Sequence, residues 1–421
     1  MTRPPWALRA LFMAVGVWVA SIAPFVAVIL RERGIDALGI GLVSAVSALA
    51  ATLIVPAAGA IADVRVGRAR AFRVTVVAAT AVAMVLVLPI PVAAVAAVVA
   101  TFGAIIGVGF ALGDALAIDG LSAPERQYGA LRALSSLSFA VGVVGAGLLY
   151  DRAGYAAAPF ACLATAGLIL PLLGRVKDST RDPAARAPTR SAGAHGSVGT
   201  AGRFGAIGLA FRIQPRLLAV LLGLMVAFTG LQGAVLFVAV QIVQLGGQPS
   251  DVALSLGLAA LMEVPGLVTA GWLARRIGLR WLFILSTVPF AVCIASWGVL
   301  PSPMAIIATR LVTGYFFGTL TAARVLAVPR LLPASLQATG QSLTQAATLG
   351  LGSVLGALIG GAMYGSAGAE AYFVTSAVLA CVGGVGVWFA LRGPIGGRQR
   401  AGLIMRGDVA EPTLLEGTIS A

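Results

Sequence analysis

Residues 59–68 read Gly59-Ala-Ile-Ala-Asp63-Val-Arg65-Val-Gly67-Arg68, and residues 271–280 read Gly271-Trp-Leu-Ala-Arg275-Arg276-Ile-Gly278-Leu-Arg280. Each closes a long apolar run with a glycine, a short charged stretch, a second glycine and an arginine. A second echo lies further along each half: Gly142, Gly147, Tyr150 and Gly154 recur at the same mutual spacing as Gly356, Gly361, Tyr364 and Gly368. One plan written twice in a single chain predicts a duplicated fold, and the apolar runs between the echoes say in what solvent it folds.

The chain has 421 residues, 59% hydrophobic and 10% charged. Soluble domains carry ~25% charged residues, and disordered chains carry more charge with less apolar content. Neither class fits, so lipid is the solvent for most of this protein. A membrane-spanning helix needs ~20 mostly apolar residues. That ruler predicts twelve spans, at 8–30, 38–62, 71–90, 92–117, 129–150, 155–174, 217–243, 251–274, 281–300, 303–327, 338–364 and 370–392. Pro89 and Pro91 divide the third from the fourth. The first is too long for a signal peptide and no small-residue cleavage site follows it.

Arginine and lysine outnumber aspartate and glutamate by 29 to 15, a formal net charge of +14. With the N-terminus placed in the cytoplasm, every basic residue except Arg31, Arg33, Arg152 and Arg310 falls in or beside a cytoplasmic segment. Basic residues collect on the cytoplasmic side of membrane proteins. The charge therefore predicts topology, with both termini cytoplasmic in a plasma (inner) membrane, and needs no nucleic-acid partner. Cys162, Cys293 and Cys381 are scattered through apolar stretches, and His195 is the one histidine. That set predicts no disulfide framework, no metal site and no cofactor.

The longest polar stretch, 175–216, contains RDPAARAPTRSAGAHGSVGTAGR, which has no apolar periodicity and reads as a flexible linker. The expected organisation is a six-helix bundle over 1–174, a cytoplasmic linker over 175–216, a second bundle over 217–393 and a cytoplasmic tail over 394–421. Parallel six-helix repeats with a site between them are the plan of one large class of secondary transporters.

On these residues the chain resembles the major facilitator superfamily over essentially its whole length. The superfamily's loop signature after the second span is a glycine, three residues, an aspartate and a basic residue, then glycine and further basic residues. Gly59, Asp63, Arg65, Gly67, Arg68 and Arg70 match it, with Val64 displacing the first basic residue and lengthening the loop by one. In the second copy, Gly271, Arg275, Arg276, Gly278 and Arg280 match in spacing, with Arg275 where the aspartate would stand. The resemblance implies that this loop latches the cytoplasmic helix ends and gates access. Arg70 and Arg73 read as ordinary topology anchors.

A narrower resemblance is to the branch of lactose-permease-like sugar:proton symporters and nucleoside symporters. Tyr128-Gly129-Ala-Leu-Arg132-Ala-Leu-Ser135-Ser136, Pro333-Ala-Ser-Leu-Gln337-Ala338-Thr339-Gly340-Gln341 and Glu263-Val-Pro265 carry it. Alignment on that pattern implies that Arg132 is a substrate-binding arginine, Asp114 its carboxylate partner and Ser136 a neighbour one turn on. The chain departs from the pattern elsewhere. Thr313 and Phe316 stand where the permease has a histidine and a glutamate for proton handling, and Arg310 replaces a lysine one turn earlier. Glu263 lies one turn from the permease's own carboxylate, and Phe139 takes the place of a sugar-stacking tryptophan.

The residues point to the same groups without the family. A charge at the centre of a spanning helix costs ~2.5 kcal/mol or more on insertion scales, so it is rare and usually functional. Asp114, Arg132, Glu263 and Arg310 are four charges inside apolar runs, the first two near the cytoplasmic ends of spans four and five. Asp114 and Arg132 read either as a structural ion pair across one hairpin or as substrate ligands, since arginine offers a planar fork of donors. Glu263 sits mid-span beside Pro265, with Arg310 as its expected partner. An apolar surrounding and an arginine act on its proton in opposite senses, which makes Glu263 the candidate for proton coupling, with Asp114 second. Gln232, Gln241, Thr229, Thr344 and Gln345 suit a wet cavity, while Trp18 and Phe25 are candidates for ring stacking. The ladder Gly352, Gly356, Gly360 reads as close helix packing.

The function these observations predict is alternating-access transport of a small organic solute, a sugar, glycoside or nucleoside, coupled to protons, by a monomer. Proton-driven efflux of an amphipathic compound is the alternative. A membrane-embedded enzyme would need clustered catalytic groups that are missing here. Lys177 follows Val176 and not a phosphate-binding glycine, so ATP-driven pumping is not expected.

Overall fold

The computed structural model describes residues 5–121, 124–176 and 200–392. Twelve of its helices are long and apolar enough to cross a membrane. They are α1 (Trp6–Glu32), α2 (Ala37–Ile61), α3 (Arg68–Val87), α4 (Val92–Gly120), α5 (Gln127–Ala153), α6 (Tyr155–Leu173), α7 (Arg216–Gln244), α8 (Pro249–Ile277), α9 (Leu279–Ser296), α10 (Pro303–Leu331), α11 (Ala334–Ser366) and α12 (Gly368–Ala390). Each matches an expected span to within a few residues. The fold is all-helical because lipid offers backbone amides no other partner. Both described ends lie at one face of the molecule, called here the terminal face; the opposite face is distal.

The stretch expected as a flexible linker is helical in its last part. Thr200–Ile213 forms a helix that buries Ala210 and Ile213. Its second half carries Ile207, Leu209, Ala210, Phe211 and Ile213 in place of the Ala/Gly/Ser-rich run. The rest of the Arg175–Arg216 linker beyond Val176, and the tail over 394–421, lie outside the described residues.

The sequence echoes have structural meaning. Gly67 and Gly278 cap the N-termini of α3 and α9 with φ of 87° and 81°. A side chain is strained in that left-handed region, so the same corner is built twice by glycine. The extra residue of the first copy does not lengthen the loop. Ala62–Val66 forms a π-helical turn, closed by the Gly67 amide donating to the Ala62 carbonyl at 2.9 Å. A wide turn absorbs one inserted residue without moving the corner.

In the second echo, Gly142 packs on α1 at Val17 and Gly356 packs on α7 at Thr229 and Gly233. The companion glycines join the two bundles. A methyl group on Gly147 would lie 2.3 Å from Ala253 Cβ on α8, and one on Gly361 would lie 2.9 Å from Gly41 Cα on α2. The tyrosines tie each helix to its own bundle: Tyr150 donates to the Ser21 carbonyl and Tyr364 to Gln241 Oε1 at 2.6 Å.

These glycine contacts run from the distal face to mid-span, where Gly257 meets Ala140 and Gly350 meets Thr52. At the distal rim Asp151 accepts from the Ser250 amide at 2.9 Å, capping α8 from the other bundle. With the Gln244 amide turned so that its oxygen faces α1, Arg31 reaches across to it at 2.9 and 3.0 Å. The bundles are thus zipped along their distal halves. Gly147→Leu is expected to pry this seam open. A cysteine placed at Ser250 should then react several-fold faster with a membrane-impermeant maleimide than the same cysteine in the unaltered seam; equal rates would mean the glycine contact does not close it.

Candidate substrate-binding site

The α4–α5 hairpin builds a four-residue box. Phe110 and Asp114 lie one turn apart on α4, and Tyr128 and Arg132 one turn apart on α5. Arg132 Nη1 stands 3.7 Å from Asp114 Oδ1. The Tyr128 hydroxyl bonds the same aspartate, and the Arg132 guanidinium lies 5.9 Å from the Phe110 ring centroid. The two charged side chains are 45% and 39% exposed, although both sit within long apolar helices. A single loose, wet ion pair contributes little to stability. The box opens on a cleft lined by Leu11, Phe12 and Val15 of α1, Phe72 of α3 and Ser135 of α5.

Glu263 comes from the other bundle. Arg132, paired with Asp114 in its own bundle, is the charged group whose field reaches it. The expected Glu263–Arg310 pair does not form. Arg310 is 3% exposed; its Nε donates to the Ser255 carbonyl at 3.4 Å, its Nη1 to Thr313 Oγ1 at 3.4 Å, and its guanidinium lies 5.2 Å from the Trp297 ring centroid. The cause is the different depth of the two residues along their helices. α8 and α10 run parallel, with Gly314 against Ala259 and Gly318 against the Glu263 carbonyl. Arg310 is therefore level with Ser255, two turns distal of Glu263.

Ser136 and Phe139 continue along α5, partly buried, and Gln232 on α7 is likewise partly buried. Gln345 on α11 is exposed. Other expected cavity groups are core. Trp18 and Phe25 are almost fully buried, with Phe25 against Tyr150 and Tyr155. Thr229 and Thr344 are buried and bond backbone carbonyls of their own helices, at Met225 and Gln341. Gln241 is taken up by Tyr364. Sequence reasoning missed Phe110, an exposed aromatic beside the arginine, because one more phenylalanine in an apolar run carries no signal.

At the terminal face, Arg68 Nε donates to Asp63 at 2.6 Å, and Arg68 Nη1 reaches both carboxylate oxygens of Asp119 at 2.8 Å. The gating stretch is thus tied to the end of α4. Asp119 also escaped the sequence reading, since it sits at a helix end where charge is unremarkable. Gly59 meets nothing within 4 Å, and Arg65 is exposed. Among the described residues the second copy has no matching triad: Arg275 stands in the aspartate position, Arg276 lies over Trp272 at 5.4 Å, and Arg280 lies over Trp281 at 5.6 Å. Arg68→Ala is expected to slow transport several-fold while lowering stability by no more than ~1 kcal/mol, because the network is partly exposed. Transport rate and thermal unfolding of the same preparation check this.

Twelve spanning helices in two pseudo-symmetric bundles define a major facilitator transporter fold. The chain belongs to the MFS_1 like family, whose model matches residues 6–375. Its fold is similar to the crystal structure of the nucleoside transporter NupG, at a TM-score of 0.74 and 14% identity, covering 92% of this chain and 98% of that one. A mutant of NupG matches at 0.74 and 15%, over 91% and 98%. No curated protein matches the chain in sequence.

Proposed function

We propose that this transporter takes up a small organic solute, a nucleoside, sugar or glycoside, across the plasma membrane in symport with protons, with both termini in the cytoplasm. The observation that carries the reading is the exposed Arg132–Asp114 pair within the apolar helices α4 and α5, with Glu263 of the opposite bundle in range of the Arg132 charge. The guanidinium offers paired donors to ring hydroxyls, and Phe110 offers a face for a planar or pyranose ring. Protonation of Glu263 releases Arg132 to the substrate, and the bundles then rock about the seam formed by α2, α5, α8 and α11. Similarity of fold to a nucleoside transporter favours the nucleoside among the three cargoes.

Thr313 and Phe316 favour the second reading, proton-driven efflux, since they remove two of the branch's titratable positions. The purified protein is expected to gain thermal stability with a nucleoside or sugar, because a ligand that binds only the folded state raises its stability. Stabilisation by drug-like cations alone would favour efflux. Flux in vesicles with an imposed pH gradient separates the two by direction.

A further inference from the structure

Between the terminal ends of α9, α10 and α12 lies a cavity lined by Gly278, Leu279, Arg280, Trp281, Arg330 and Leu391. The N-terminus of α9 lines it, and the first intrahelical bond there is donated by Leu282. Arg392 joins the group: Arg280 and Arg392 lie 5.4 and 3.7 Å from the centroid of the same Trp388 ring. Among the described residues, no carboxylate forms an ion pair with Arg280, Arg330 or Arg392. The buried Trp388 indole N–H likewise has no acceptor among them. Guanidinium groups gathered around one ring repel one another until an anion enters.

The place and surroundings say which anion. The cavity is at the ends of three spans, the depth at which tryptophans and headgroups meet. Trp281 and Trp388 stack edge to face at 5.3 Å, joining α9 to α12. From Trp281 an exposed apolar stripe runs down α9 through Leu285, Val288 and Val292, with Val385 and Phe389 exposed on α12 beside it. A polar, cationic mouth continuous with an apolar furrow matches a phosphate headgroup with its acyl chains. A free phosphate would use only the mouth. We infer that this cavity is a binding site for an anionic phospholipid of the leaflet at the terminal face, held by Arg280, Arg330 and Arg392.

The test is lipid retention by the purified full-length protein. Phosphatidylglycerol and phosphatidylcholine compete at equal concentration, with inorganic phosphate as a soluble arm. Basic residues near a membrane surface each attract anionic lipid by an amount worth several-fold in affinity. The unaltered protein should prefer phosphatidylglycerol, and Arg280→Gln with Arg330→Gln should lower that preference about tenfold. Arg70→Gln with Arg73→Gln, at the same face of the other bundle, should leave it unchanged. Should the double variant fail to fold, Arg330→Gln alone should lower the preference about threefold. An unchanged preference in the variants overturns the site. Equal stabilisation by inorganic phosphate overturns the lipid as its occupant.

Discussion

Replacing Arg132 with glutamine is expected to weaken substrate binding about a hundredfold, read as loss of ligand-induced thermal stabilisation at concentrations that saturate the unaltered protein. Arg132 makes one long ion pair, at 3.7 Å, is 45% exposed and lines the cleft. Hydrogen bonds to a charged group are worth about 1.5–3 kcal/mol, and the upper part of that range corresponds to two orders of magnitude in affinity. Stability without ligand should hardly change, because an exposed pair of this length contributes little. Two further variants separate a ligand from a structural pair. Arg132→Lys keeps the charge but loses the planar fork, and should recover little binding. Arg132→Gln combined with Asp114→Asn removes both charges together. If that double variant binds as the unaltered protein does, the pair is structural and the substrate is held elsewhere.

The second large effect is expected at Glu263. Its backbone is pinned by α10, where a methyl group on Gly318 would come within 2.3 Å of the Glu263 carbonyl. The side chain is thus held at fixed depth, in reach of the charge of Arg132 but not of Arg310. Glu263→Gln preserves size and hydrogen bonding and removes the exchangeable charge. The expected result is a folded protein that still binds and exchanges substrate but no longer accumulates it against a gradient. In the coupled cycle, Arg132 is contested by Glu263 and by the substrate; with glutamine that contest is absent at every pH.

The fold was legible because lipid imposes a short list of solutions. Apolar runs of the required length can only be helices, and repeated glycines at fixed spacing mark where those helices touch. Gly147 and Gly361 stood out by spacing alone, and both meet the opposite bundle. The loop register was harder. Val64 reads as an insertion in one dimension, yet the π-turn of Ala62–Val66 takes it up with no displacement of Gly67. Pairings between helices were the least legible. Glu263 and Arg310 look like partners as charges inside neighbouring apolar runs, but the contacts of Gly314 and Gly318 show that α8 and α10 start level, and Arg310 is half as far along its helix as Glu263, which puts them two turns apart. Asp114 and Arg132 were readable because the short connection between α4 and α5 fixes their relative depth. Trp18 and Phe25 show the reverse limit: nothing in an apolar helix says which aromatic faces a cavity and which fills the core.

The most direct test of the central claim compares two fluxes in proteoliposomes, for the unaltered protein and for Glu263→Gln. One is substrate counterflow with no pH difference, which needs only binding and alternating access. The other is accumulation driven by an imposed pH gradient, which also needs coupling. The proposed competition of Glu263 and substrate for Arg132 predicts that Glu263→Gln retains counterflow and loses gradient-driven accumulation. Retention of both fluxes would contradict it.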